Sequence, residues 1–349
     1  MSRLLVARAR VLLALCRPAL LLLFGLVVAV GVAQAGRPGA IAPALLALVP
    51  SVAFLVFAVA LNDLADVAID QVNLPGDRGR PLVTGLADRT DMVVVAVTAA
   101  LLAVGTAIPL GLTGCLVVLG GLVFAAAYSI APVRLAGRGV VAPLTLPLGF
   151  VAVPLLLALL AGRGRVLVTD MPVLGGLYVA FIGRLLLKDL RDVRGDALFG
   201  KRTFLLRRGR RRTVGLAGAC WLAGTAVLAA ATSPTGPSSV ALAVPSLATI
   251  VVLVALVRST SARRDAALVM GAAVLGRTTL VVLVAHRTLL DMGAGGVRSS
   301  LALAAVVAAG LAGTAHHIAR GPITRATVPS TWEREVAARP SSEPRAVVP

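Results

Sequence analysis

The chain has 349 residues, with 34 Lys and Arg against 15 Asp and Glu, a formal net charge of +19, and a hydrophobic content of 58%. A charged fraction of only 14% excludes an ordinary soluble domain, a disordered chain and a disulfide scaffold. The acids are unevenly placed: Glu333, Glu335 and Glu343 lie near the C-terminus, and most Asp fall in two clusters, Asp63, Asp66, Asp70 and Asp77, then Asp189, Asp192 and Asp196.

Apolar runs long enough to cross a bilayer recur along the chain, a crossing helix needing about 20 mostly apolar residues. In chain order they cover 12–33, 41–62, 91–112, 114–130, 140–161, 172–188, 213–231, 240–257, 266–286 and 300–318. Continuous runs of this kind select helices, because only helices and closed barrels satisfy the backbone in hydrocarbon. The expected fold is an all-α polytopic membrane protein of nine to ten spans around a central cavity, occupying residues 1–322, with a disordered tail over 323–349 that is rich in Pro, Ser, Glu and Arg. The first run ends in Ala33-Gln34-Ala35, a pattern also found at signal cleavage sites; the many later spans favour an uncleaved first helix.

Lys and Arg in alternate loops set the orientation. With the N-terminus inside, the inner loops carry Arg78, Arg80, Arg89, Arg134, Arg138, the basic stretch from Lys188 to Arg212, and Arg258, Arg263 and Arg264. The outer loops carry only Arg37, Arg163, Arg165, Arg287 and Arg298. Both Asp clusters and both termini are therefore expected on the cytoplasmic side. Basic inner loops facing anionic membrane lipids account for the net charge, and no basic soluble module suggests nucleic acid as a partner. Cys16, Cys115 and Cys220 lie far apart in apolar runs and read as small hydrophobes.

The two clusters have matching form. Asp63, Asp66 and Asp70 are spaced i, i+3, i+7, and so are Asp189, Asp192 and Asp196. On a helix each set falls on one face, so each segment presents a stripe of carboxylates at the end of an apolar run. Such a stripe repels itself and opposes the helix dipole, which leaves cations to neutralise it. Hard carboxylate oxygens suit Mg²⁺, which usually completes its shell with water and substrate phosphate. Arg78 and Arg80 after the first stripe, Arg184 and Lys188 on the helix of the second, and Lys201 and Arg202 beyond it are suited to a diphosphate. For Arg78 a plain role in orientation is equally good. Arg184 and Lys188 lie deep enough in an apolar run to favour function, and Arg277, mid-run, is a functional candidate on the same ground.

These residues resemble the UbiA-type intramembrane prenyltransferases. Asn62-Asp63-x-x-Asp66-x-x-x-Asp70, continuing as Val72-Asn73-x-Pro75 and Arg80-Pro81-Leu82-x-x-Gly85, is similar to that family's first motif in members acting on homogentisate or chlorophyllide. Lys188-Asp189-x-x-Asp192-x-x-Gly195-Asp196 with Gly200-Lys201-Arg202-Thr203 is similar to its second, and Tyr128-Ser129 with Pro132 and Arg134 to an element between them. The resemblance implies a helical bundle in which Mg²⁺, two ions, grips a prenyl diphosphate donor for transfer to an aromatic or other hydrophobic acceptor. By position, Asn62, Asp63, Asp66, Asp189 and Asp192 would hold metal, with Asp70 and Asp196 in support. Arg80, Lys188 and Lys201 would bind diphosphate, and Tyr128 would orient it or face the developing cation. A Lys common in the family is Pro132 here, which leaves Arg134 or Arg138 to supply that charge. Four spans follow the second motif where three are usual. A membrane terpene cyclase, a polyprenyl-phosphate phosphoribosyltransferase, or, from another class, a cation-coupled transporter are the alternatives.

Overall fold

The computed structural model describes residues 11–321 apart from 13, 78, 233–235 and 295. Arg78 and the tail expected over 323–349 lie outside the described residues. Among those described, every regular element is helical. The long helices are α1 (Pro18–Gln34), α2 (Ile41–Asn73), α3 (Arg89–Ala107), α4 (Gly111–Ser129), α5 (Val153–Arg163), α6 (Met171–Leu198), α7 (Arg210–Thr232), α8 (Gly236–Arg258), α9 (Ala262–Asp291) and α10 (Val297–Arg320).

Each apolar run of the sequence is found in a helix, and local chemistry fixes several boundaries. Pro18 opens α1 at a position where its missing N–H costs nothing. Asp88 caps α3: its carboxylate accepts from the Asp91 backbone N–H at 2.7 Å, and Asp91 returns the bond. Between α3 and α4 the chain reverses at Gly111, whose φ of 72° favours glycine, so a continuous helical stretch from 89 to 129 becomes an antiparallel hairpin.

Two runs differ from expectation. The first is interrupted at Arg17, with φ 41°, so that α1 begins six residues later than the apolar pattern does. The run over 140–161 is three pieces, Val141–Thr145, a wide turn over Leu148–Ala152, and α5. Pro143, Pro147 and Pro154 each remove a backbone donor and crowd the preceding turn, which explains the breaks.

The helices form a ring in which most pack on their sequence neighbours, and α9 closes it against α1. α2 runs through the middle of one side, touching α1, α3, α4, α5 and α6. The tightest pair is α6 with α7. A Cβ on Gly183 would stand 2.5 Å from the Ala217 carbonyl oxygen, and one on Gly224 2.5 Å from the Ala180 nitrogen. Small residues allow this approach, which is how helices gain packing energy where lipid removes the hydrophobic drive. Exposed large side chains such as Leu101, Leu112, Val123 and Val251 cover the outer faces, as expected of a surface turned to lipid.

Candidate active site

α2 and α6 each carry their acidic stripe on the last three turns, and the two helices meet there. Asn73 Oδ1 accepts a hydrogen bond from the Gly195 backbone N–H at 2.5 Å. A Cβ on Gly195 would lie 2.6 Å from Asn73 Nδ2, so only glycine lets the helices come this close. This contact turns the stripes toward one another across a small pocket lined by Asn62, Asp66, Asp70, Asp189, Asp192 and Asp196.

Cations crowd the carboxylates. Asp63, 1% exposed, receives Arg17 at 2.7 Å and Arg80, both on Oδ1. Arg80 also lies 2.7 Å from Asp70. Asp66 accepts from Arg134 at 2.7 Å, from Lys201 at 2.9 Å and from Asn62 at 3.2 Å. Lys201 stands 3.5 Å from Asp196 as well, so one ammonium bridges the two stripes. Arg191 pairs with Asp192 at 3.3 Å. Burial pulls the Arg80 guanidinium down, yet Asp63, Asp70 and Asp192 outweigh it and leave its pKa raised, so its charge is secure.

Some oxygens remain unspent. Among the described residues Asp63 Oδ2 is buried without a hydrogen-bond partner, Asp70 Oδ2 is met only by the Arg80 guanidinium at 2.7 Å, and no hydrogen bond reaches the Asp189 carboxylate. Orphaned carboxylate oxygens in a shielded pocket are expensive, and their hard donor set fits a divalent cation. Among the described residues no three Asp, Glu, His or Cys side chains form a cage for an ion by themselves. That suits Mg²⁺, which takes one or two carboxylates and leaves positions for water and phosphate.

Most of the residues marked by sequence converge here. Arg134, not Arg138, supplies the charge opposite Pro132: Arg134 has φ 35° and reaches Asp66, whereas Arg138 turns back onto the carbonyls of Val133 at 2.6 Å and Pro132 at 3.1 Å. Arg202 does not join them. The segment from Lys201 to Thr203 lies between α6 and the next helical turn without regular structure; Lys201 reaches Asp66 and Asp196, and Arg202 is exposed. Arg184 is also apart, one turn further along α6 from Lys188, on the wall of a larger cavity. Asp77 accepts from the Gly79 N–H at 2.8 Å and shapes the loop after the stripe.

That larger cavity, about 1310 Å³, opens directly off the pocket, with Asn62, Arg80, Tyr128, Lys188 and Asp192 lining both. Its walls are mainly apolar, from α1, α2, α4, α6, α7 and α9, and include Phe24, Phe54, Phe124, Phe150 and Phe181. Tyr128 is buried at the junction with its ring 6.0 Å from that of Phe124. Tyr178 stays out of the cavity and donates to the Leu144 carbonyl at 2.6 Å. Arg17 was not singled out by sequence, though a guanidinium inside an apolar run was the signal available.

A family model, the UbiA prenyltransferase family, matches residues 20–275. A digeranylgeranylglyceryl phosphate synthase of Pyrococcus abyssi (strain GE5 / Orsay) is 32% identical over 154 residues, 44% of this chain. The match spans about half of that curated relative, 52% of its length. Among solved structures, one described under digeranylgeranylglyceryl phosphate synthase in membranes aligns with a TM-score of 0.60 at 14% identity, covering 80% of this chain and 98% of the other. A UbiA homolog from Archaeoglobus fulgidus bound to DMAPP and Mg²⁺ aligns with a TM-score of 0.54 at 16% identity, covering 88% and 99%. At these identities the likeness is one of fold. With the family model covering most of its length, both acidic stripes included, this chain belongs to the UbiA prenyltransferase family.

Proposed function

We propose that the protein transfers a prenyl group from an allylic prenyl diphosphate to a lipophilic acceptor with release of diphosphate, using Mg²⁺ held between α2 and α6. One observation carries the reading: two facing carboxylate stripes with unspent oxygens sit at the mouth of a large apolar cavity. Such a site joins an anionic headgroup to an isoprenoid chain. The Archaeoglobus homolog bound to DMAPP and Mg²⁺ supports it.

In this reading Asn62, Asp63, Asp66, Asp189 and Asp192 hold the metal, with Asp70 and Asp196 behind them. Bound there, Mg²⁺ neutralises the diphosphate and makes it a good leaving group. Six cations, Arg17, Arg80, Arg134, Lys188, Arg191 and Lys201, face six carboxylates. Among the described residues these charges balance, and a polyanionic diphosphate enters favourably with divalent cations. In this reading Arg80, Lys188 and Lys201, which line the pocket, bind the diphosphate oxygens and stabilise the charge that gathers as the allylic C–O bond breaks. The electron pair leaves with diphosphate, the allylic carbon bonds to the acceptor nucleophile, and the acceptor's proton passes to the departing diphosphate. Tyr128, at the junction of pocket and cavity, would orient the diphosphate or face the developing cation, and the apolar walls keep water from that carbon.

The test is a donor series, dimethylallyl, geranyl and geranylgeranyl diphosphate, with aromatic and glycerophosphate acceptors and product masses read directly. Mg²⁺-dependent diphosphate release with a prenylated product is expected. Cation flux across vesicles without diphosphate release would overturn it in favour of transport.

A further inference from the structure

Two cations in the large cavity face no carboxylate. Arg17, Arg80 and Arg191 each pair with an Asp, and Lys188 stands beside Asp189. Arg184 on α6 and Arg277 on α9 line the same cavity from two different helices. Among the described residues no ion pair or hydrogen bond engages the Arg184 side chain, and Arg277 reaches only the Ala19 carbonyl at 3.3 Å. The two guanidinium groups instead repel one another. Like charges sharing the wall of an apolar chamber are costly unless an anion joins them.

The donor's diphosphate is poorly placed to be that anion. Arg184 precedes Asp189 by five residues on one helix, which sets it about 7 Å further into the bilayer at 1.5 Å per residue. Beyond its diphosphate an allylic donor is hydrocarbon, so nothing at that depth on the donor matches a cation. A second substrate does match, with its anionic group between Arg184 and Arg277 and its nucleophile directed up toward the carboxylate pocket. We infer that the acceptor is an amphiphile with an anionic headgroup, a phosphate or a carboxylate, bound by Arg184 and Arg277. The inference rests on the prenyl-transfer reading and names its acceptor class.

Binding separates the two. Trp221 lines this cavity, and its ring stands about 3.0 Å from where a side chain on Gly276, the neighbour of Arg277, would begin. Trp332 is the other tryptophan, so in a Trp332→Phe background the intrinsic fluorescence reports on the cavity. The protein in phosphatidylcholine nanodiscs, without Mg²⁺ or donor, is titrated with hexadecyl phosphate, palmitate and neutral hexadecanol. At least one anion is expected to bind about tenfold or more tighter than hexadecanol, the scale of a single charge-assisted bond. Arg184→Gln and Arg277→Gln should each remove most of that preference, and Arg184→Lys should keep part of it. The affinity for Mg²⁺ with geranyl diphosphate should change less than threefold in the Gln variants. Equal binding of charged and neutral probes by the parent protein would overturn the inference, and so would Gln variants that weaken donor binding as much as anion binding. Selective anion binding by a protein that releases no diphosphate from any donor would leave this site standing and sink the catalytic reading.

Discussion

The bundle has a polar cluster at each end, and the two obey opposite rules. At the end away from the acidic stripes, Asp170 accepts from Arg163, from the Leu167 N–H at 2.8 Å and from Gln34 at 3.3 Å, while Arg287 donates to Gln34 at 2.8 Å. Both oxygens of one buried carboxylate are engaged, and the network ties α1, α5, the segment leading into α6, and α9 together. At the other end many carboxylates share too few donors; Asp63 Oδ2 and Asp189 have none. A saturated cluster holds a fold, whereas an unsaturated one is built to accept a guest.

Exchanging the roles of the two clusters gives the sharpest test. Asp189→Ala should lower Mg²⁺-dependent diphosphate release by about a thousandfold or more, removing the site where leaving-group charge is met, with little change in thermal melting, whereas Asp63→Ala should lose release as fully and also melt earlier, because it strands Arg17 and Arg80. Asp170→Ala should do the reverse. It strands Arg163 in a buried position and costs about 3–5 kcal/mol of stability, seen in melting, while the folded fraction keeps its rate. Active Asp189→Ala, or inactive but stable Asp170→Ala, would break the comparison.

Ligand-linked stability comes next in size. Mg²⁺ and diphosphate together at about a hundredfold over their dissociation constant should stabilise the parent by about 2.7 kcal/mol. Calorimetry should show that rise abolished by EDTA and by Asp63→Ala, and intact in a variant of the opposite cluster such as Gln34→Ala. Smaller is the effect of Gly195→Ala. Its Cβ meets Asn73 at 2.6 Å, so the stripes are forced apart at a cost of about 1–3 kcal/mol, and donor turnover should fall by about tenfold. Smallest is a contrast within one loop. Arg134→Ala should raise the KM for donor severalfold, whereas Arg138→Ala, which loses only backbone contacts, should change it less than twofold; equal effects would show that the Asp66 contact does not matter.

Much of this was legible in the sequence because helical periodicity is a strong constraint. Once Asp63, Asp66 and Asp70 lie on a helix they must share a face, and the same holds for Asp189, Asp192 and Asp196. What periodicity does not encode is which residues come together from separate elements. The choice of Arg134 over Arg138 depends on a left-handed backbone at Arg134, and the exclusion of Arg202 depends on the path of the irregular chain after the left-handed turn at Gly200. Arg17 escaped notice because the basic N-terminal flank and the first apolar run overlap there, and only the break at Pro18 reveals that it faces Asp63. The three-part helix over 141–163 carried its prolines in plain view, but that its middle piece would pack on Phe54, which lies 3.2 Å from the place of a Cβ on Gly149, is a contact between separate elements that periodicity does not encode.

The bond between Asn73 and Gly195 has a consequence for how the protein can change over generations. It joins two motifs more than a hundred positions apart in sequence, so neither is free to drift by itself. A larger residue at 195 demands a smaller one at 73, and losing the amide at 73 removes the bond that ties the two helices at this point. Exchanging one motif with that of a relative should therefore succeed only when the other travels with it, which makes the pair, rather than either half, the heritable unit.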